Sequence, residues 1–270
     1  MAGLLRFIQI LRLFDEQHCE WTIPDMAARI SVPASTAYRT VRELVRSGML
    51  VPSTEACYRL GPAIIEFDRR LRITDPLIRE GLPVLQDLVA AIRLPCIALL
   101  AQLYGDQVIC IADVVAPNSE ITTSYERGRP MPLFRGATSK AIMAQLPRDK
   151  LRKIAAKAAQ QHLVPPFEEL TADLSAIKKR GFSITRGEVD TGLVGLSVPV
   201  FCPQAAIYAS MSLILKASDL DEGIERRLMM TLAPAANMLV DKLAISSAET
   251  GLPRSPTASP HDGTVQRNAS

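Results

Sequence analysis

Residues 22–50 read TIPDMAARISVPASTAYRTVRELVRSGML, and the fold turns on this stretch. Thr22 followed three residues later by Asp25 forms a capping box, and Pro24 is tolerated between them because the first helical turn needs no N–H there. Behind that cap Ile23, Met26, Ala27 and Ile30 recur at helical spacing. Ser31-Val32-Pro33 breaks the pattern. A second helix over about 34–47 then gathers Ala37, Val41, Leu44 and Val45 on one side, with Gly48 as its stop. Two short helices across a turn of about four residues make a helix-turn-helix. On the second helix Ser35, Arg39, Arg42 and Arg46 are spaced by four, three and four, so they share the face opposite the apolar one. An arginine row there suits the major groove, where guanidinium pairs with guanine edges or neutralises phosphate. Thr36 and Tyr38, near the helix start, are the kind of residue that approaches base edges or phosphate, and Tyr38 fits as well against a neighbouring hairpin. On an isolated helix the same arginines, with Glu43, would only solvate a face; the helix-turn-helix context favours DNA.

Upstream, residues 4–14 (LLRFIQILRLF) carry apolar side chains at 4, 7, 8, 11 and 14, an amphipathic helix that closes the third side of a small core. Downstream, strand-like segments at 49–52 and 57–60 joined by Ser-Thr-Glu-Ala form a hairpin, or wing. PAIIEFDRRLRI (62–73) is helical and ends at Asp75-Pro76, a linker helix. The charge is local. Residues 29–59 hold five arginines against Glu43 and Glu55, a net +3 that equals the whole chain's formal charge of +3.

From Pro76 the pattern alternates. A helix is expected at 77–92, strands at 96–103, 107–115 and near 120–125, an irregular stretch RGRPMPLFRG at 127–136, and helices at 137–145, 149–160 and 167–180. Strands at 182–187, 193–201 and 206–215 and a last helix at 221–245 follow. Clustered helices against hairpin-connected strands give the fold class α+β. The expected organisation is a winged helix-turn-helix DNA-binding domain (1–61), a linker helix (62–75), an effector-binding sheet domain (76–247) and a disordered Ser/Pro/Thr-rich tail (248–270).

Composition narrows the function. In 270 residues 48% are hydrophobic and 22% charged, enough apolar material for a core in two domains. No run of about 18 uncharged apolar residues suggests a membrane span, the first residues lack a signal cleavage pattern, and a cytoplasmic protein is expected. Five single cysteines and three histidines, His18, His162 and His261, suggest neither a disulfide framework nor a metal site. No cofactor or catalytic residue is expected. A metabolite-transforming enzyme with an accessory winged helix would need Cys96, Cys110 or Cys202 as nucleophile; all three lack a histidine partner in the pattern and read better as buried thiols. A protein-contact adaptor is a further alternative, against which the arginine face argues.

Three segments carry a family likeness. STAYRTVRELVRSGML (35–50), PLFRGATSKAIMAQLP (132–147) and IKKRGFSITRGEVDTGLVGLSVPVF (177–201), in this order, resemble the IclR family of bacterial transcription regulators, the last keeping Gly181, Phe182, Glu188, Gly192, Pro199 and Phe201. The resemblance covers nearly all of residues 1–247. It implies a winged helix-turn-helix, a linker helix and a GAF/PAS-like effector-binding domain. It also implies a homodimer or dimer of dimers on double-stranded operator DNA. By position it assigns Ala137, Thr138, Thr185, Leu193, Gly195, Ser210 and Ser212 to an effector pocket. Hydroxyls beside a helix start suit a small organic acid, because N–H groups and the helix dipole favour an anion. Ser139-Lys140 stands where the family usually has Gly-Lys, and Thr185 and Gly195 stand where some members have an acid or a cysteine, so effector identity does not carry over. Arg127, Arg129 and Arg135, near the expected pocket opening, would suit an aromatic or dicarboxylic acid or serve only loop solubility.

Overall fold

The structure, a computed structural model, describes residues 2–159 and 165–249; most of the expected tail, and His162 and His261, lie outside them. The chain divides into two compact units, Met1–Asp75 and Pro76–Ser270.

The first unit is built on α1 (Ala2–Leu11), β1 (Trp21–Thr22), α2 (Ile23–Arg29), α3 (Ala34–Arg46), β2 (Leu50–Pro52), β3 (Cys57–Leu60) and α4 (Ala63–Thr74). Ile10, Met26, Val41, Leu44 and Leu50 are buried together, two from α3 and one each from α1, α2 and the wing strand β2. The capping box forms: Asp25 N–H donates to Thr22 Oγ1 at 3.3 Å and the Thr22 hydroxyl to Asp25 Oδ2 at 2.6 Å. Helix α1 stops at Leu11 rather than continuing to 14: Leu13 N–H donates to the Ile10 carbonyl three residues back, a tightened last turn, and the Leu13 carbonyl accepts from the Trp21 indole N–H at 3.0 Å. The same tryptophan starts β1, a strand not foreseen, which pairs with β3 and widens the hairpin to a sheet of order β1-β3-β2. Gly61 joins the wing to α4 where a Cβ would stand 2.1 Å from the Gly48 carbonyl oxygen, so only glycine fits.

The second unit is a six-stranded antiparallel sheet of order β6-β5-β4-β9-β8-β7. Its strands are β4 (Ile97–Tyr104), β5 (Gln107–Val115), β6 (Pro130–Pro132), β7 (Ser183–Arg186), β8 (Leu193–Cys202) and β9 (Ile207–Lys216). Helices α5 (Pro76–Ile92) and α9 (Glu222–Glu249) pack on one face, and α6 (Ala137–Met143), α7 (Arg148–Ala159) and α8 (Phe167–Arg180) belong to the other. Strand β4 shows why its sequence is apolar throughout: Ala98 and Leu100 join the α5/α9 core while Ile97, Leu99 and Ala101 join the opposite one. On β9, Met211, Leu213 and Leu215 face α5/α9, so Ser210, Ser212 and Ile214 face α6.

Two expectations fail here. Residues 120–125 form no strand, because Asp190 accepts from Ser124 N–H at 2.9 Å and from the Thr123 hydroxyl at 2.8 Å, supplying the partner that a sheet neighbour would. The supposedly irregular stretch instead contains β6, which pairs with β5 at the sheet edge, where proline's missing N–H costs no ladder bond. In addition, residues Glu222–Ala248 of α9 are long and apolar enough, by length and composition, to cross a membrane. Leu228, Leu232, Ala236, Leu239 and Leu243 on this helix are buried against the sheet, the packing of a core helix.

Candidate functional site

Helix α3 exposes Ser35, Tyr38, Arg39, Arg42 and Arg46, with Thr36 half-buried beside them, while Ala37, Thr40, Val41 and Leu44 face inward. All six residues expected at DNA therefore lie along one helix, but their charges are not equivalent. Glu43 Oε1 lies 3.3 Å from Arg46 Nη1 and 3.9 Å from Arg42 Nε. Arg39 has no ion pair among the described residues. Exposed pairs of this kind contribute little to stability and are easily exchanged for a stronger anion such as phosphate.

In the second unit a narrow cleft of about 20 Å³ lies between the start of α6, strands β7 and β8, and the 187–192 loop. Ala137, Thr138, Thr185, Leu193 and Gly195 line it, joined by Thr123, Tyr125, Glu188, Val189, Asp190 and Ile214. The first five residues were expected at the pocket from sequence and meet in one place. Ser210 and Ser212 do not line it. Both are fully buried and engaged: Ser210 Oγ donates to the Thr138 carbonyl at 3.1 Å, Thr138 Oγ1 to Ser212 Oγ at 3.0 Å, and Ser212 Oγ to Ser197 Oγ at 2.8 Å. These hydroxyls bolt α6 to the sheet.

The donors at the cleft are also engaged. Ala137 N–H donates to Thr185 Oγ1 at 3.0 Å, and Gly136 N–H to Glu188 Oε2 at 3.1 Å. The other Glu188 oxygen lies 2.8 Å from Lys140 Nζ, which is also 3.8 Å from Asp173. Tyr125 OH lies 3.1 Å from Ser139 Oγ, and burial pushes the phenol's pKa up. Burial alone would raise the Asp190 carboxyl, but hydrogen bonds from Ser124 and Thr123 and the Arg129 charge outweigh it and hold the group below the usual value.

Arg127 Nε donates to the Ile111 carbonyl at 2.7 Å, Arg129 pairs with Glu126 at 3.1 Å, and Arg135 Nε donates to the Glu188 carbonyl; none of the three lines the cleft. Glu188 stood in the quoted 177–201 segment and could have been placed at the pocket. Tyr125 and Asp190 gave no periodic signal. Cys96, Cys110 and Cys202 are buried, and burial pushes the first two thiols up to about 11 and about 12, away from nucleophilic use at neutral pH. No group of three or more His, Cys, Asp or Glu able to hold a metal ion occurs among the described residues.

A winged helix-turn-helix in one unit and a ligand-binding sheet domain in the other define a class, the two-domain transcription regulators. Residues 74–240 match the Bacterial transcriptional regulator IclR C-terminal family and residues 3–53 the IclR helix-turn-helix domain. The chain belongs to the IclR family. Over 248 residues it is 21% identical to the Pca regulon regulatory protein of Pseudomonas putida, covering 90% of this chain and 84% of that one. Its fold is similar to that of an IclR transcriptional regulator from Alicyclobacillus acidocaldarius, with a TM-score of 0.76, 20% identity, and 90% and 99% of the two chains covered. An IclR homolog from Microbacterium hydrocarbonoxydans, solved in complex with 4-hydroxybenzoate, gives a TM-score of 0.71 at 19% identity, covering 90% and 99%.

Proposed function

We propose that this regulator binds operator duplex through α3, as a homodimer or dimer of dimers, and that a small organic acid in the α6 cleft changes its operator affinity. Residues 1–61 serve as the DNA-binding domain, 62–75 as the linker and 76–247 as the effector domain, and the protein works in the cytoplasm, where its DNA is. Ser35, Thr36, Tyr38, Arg39, Arg42 and Arg46 form the DNA face. Ala137, Thr138, Thr185, Leu193 and Gly195 form the effector wall, with Ser210 and Ser212 holding α6 behind it. The protein acts by binding and not by catalysis.

The observation that carries the acid reading is Lys140, an ammonium held at 2.8 Å by Glu188, which lines the cleft. A ligand carboxylate offers Lys140 and the Gly136 N–H the same bonds that Glu188 now makes, so an acid enters by exchange rather than by finding an unused charge. Leu193, Val189 and Ile214 provide the apolar wall that an aromatic ring needs. The complex of the Microbacterium homolog with 4-hydroxybenzoate supports an aromatic acid. Dimerisation is supported by exposed apolar side chains on α1 (Leu4, Leu5, Ile8) and α4 (Ile65, Phe67, Leu71, Ile73).

A thermal-shift series of benzoates, short-chain carboxylates and matched amines, followed by a gel shift on the protein's own upstream DNA, tests the proposal. Acids should raise the melting temperature and change the shifted fraction, and Lys140→Gln should abolish both effects. Stabilisation by amines in place of acids would overturn the acid reading, and failure to shift any upstream DNA would overturn the DNA reading.

A further inference from the structure

Beside the arginine row of α3 the first unit carries a second, chemically different surface. An open cleft of about 660 Å³ lies between the starts of α2 and α3 and the wing, lined by Ile23, Pro24, Ala34, Tyr38, Ala56 and Tyr58 together with the hydroxyl residues Thr22 and Ser35. No charged residue lines it. It sits at the N-terminal end of α3, while Arg39, Arg42 and Arg46 continue along the same helix towards its C-terminus. In a helix-turn-helix the first residues of the second helix are the ones that meet base edges. Here those residues are Ala34, Ser35, Thr36, Ala37 and Tyr38, and none carries the two-pronged donor or acceptor that pairs with guanine or adenine. Besides the single hydroxyls of Ser35, Thr36 and Tyr38, what they offer is apolar surface, which suits the methyl group that the major groove presents at C5 of thymine.

The wing supports this. Ala56 holds a left-handed backbone with φ +62°, a conformation that glycine adopts without cost and alanine does not. Its methyl lines the cleft, a contact glycine could not make. Tyr38 stays 58% exposed, so its ring has apolar surface left to cover. The neighbouring guanidinium groups bring the phosphate backbone to this face and make duplex DNA the occupant that fits the charge.

We propose that this cleft is a thymine-reading subsite: Ala34, Tyr38 and the wing residues Ala56 and Tyr58 recognise thymine 5-methyl groups in each half-site, and the arginines supply the largely sequence-neutral attraction. This rests on the reading of α3 as the DNA-contacting helix.

The test begins with the full chain and a random-sequence duplex pool, from which the tightest-binding duplex is selected. That duplex is then remade with deoxyuridine replacing thymidine one position at a time, which removes a methyl and leaves base pairing intact. At one or more positions per half-site the affinity should fall about fourfold for each methyl removed, the worth of one buried methyl group. In Tyr38→Ala, an exposed position where folding is not at stake, the same replacements should cost less than twofold. Deoxyuridine tolerated at every position would overturn the subsite, and so would a penalty unchanged in Tyr38→Ala, since the methyl would then be read elsewhere. If no duplex is enriched at all, the DNA reading of α3 itself falls, an outcome separate from either of these.

Discussion

Glu43 sets the balance on α3, because it holds Arg42 and Arg46 and leaves Arg39 unengaged by any ion pair among the described residues. Arg39→Ala should therefore cost the larger share of operator affinity, about 1 to 3 kcal/mol if the contact is to a base edge, read by fluorescence anisotropy. Glu43→Gln should act in the other direction, tightening binding to any duplex and steepening its salt dependence, because two guanidinium groups lose a competitor for phosphate. The i, i+3, i+7 spacing of the arginines was legible in the chain. The Glu43 pairing was not, since side-chain rotamers choose among several partners within reach. Asp190 offers a second residue-scale test. Its folded pKa lies below the ordinary 3.8, so its contribution to stability is present above about pH 4 and is lost as pH falls through the folded value. Asp190→Asn should lower the melting temperature at neutral pH, and the gap to the parent protein should close as the pH falls below 4. A gap of constant size down to acid pH would show that the carboxylate's charge contributes nothing.

At the scale of elements, α6 is only seven residues long and owes its position to the hydroxyls beneath it. Ser212→Ala removes the acceptor of Thr138 and the donor to Ser197 at once; Ser197 keeps its 3.5 Å bond to the Met211 carbonyl, but the loss of two buried hydrogen bonds should cost about 1 to 3 kcal/mol. That is a melting-temperature drop of several degrees, which calorimetry resolves. The family resemblance assigned Ser210 and Ser212 to the effector pocket; whether a hydroxyl on their shared strand face meets ligand or helix depends on how closely α6 approaches, which the sequence does not encode. The 120–125 segment and β6 teach the converse. Residues 120–125 carry the β-branched residues of a strand yet are held by the Asp190 carboxylate 65 or more positions away in sequence, and Pro130 and Pro132 pair at an edge that only the finished sheet defines. Strands β4, β5, β8 and β9, central or fully paired, were legible because two-sided burial leaves a long apolar run.

For the whole molecule the property to test is the proposed self-association. The apolar side chains on the outer faces of α1 and α4, Ile65 at 73% exposure foremost, are surface that water covers poorly. Ile65→Glu should weaken self-association, seen by sedimentation, and operator binding should then become steeply dependent on protein concentration. If the variant remains as associated as the parent, the contact between copies uses another surface. The first unit's architecture was readable nearly whole because caps, stops and periodicity agree within fifty residues; the second required pairing between strands about a hundred residues apart, such as β4 with β9, which no local signal announces.

The hydroxyl ladder that runs from Thr138 through Ser212 to Ser197 has a consequence for descent as well as for stability. It fastens α6 to the sheet, with Thr138 shared between ladder and cleft, whereas the opposing wall comes largely from the 187–192 loop, flanked by Gly187 and Gly192 at φ +64° and +79°. Scaffold and cleft wall are thus only partly separate inheritances. Val189 can be exchanged without touching the ladder, whereas Glu188, bonded to Gly136 N–H and Lys140, and Asp190, bonded to Thr123 and Ser124, shape the cleft and hold its frame at once.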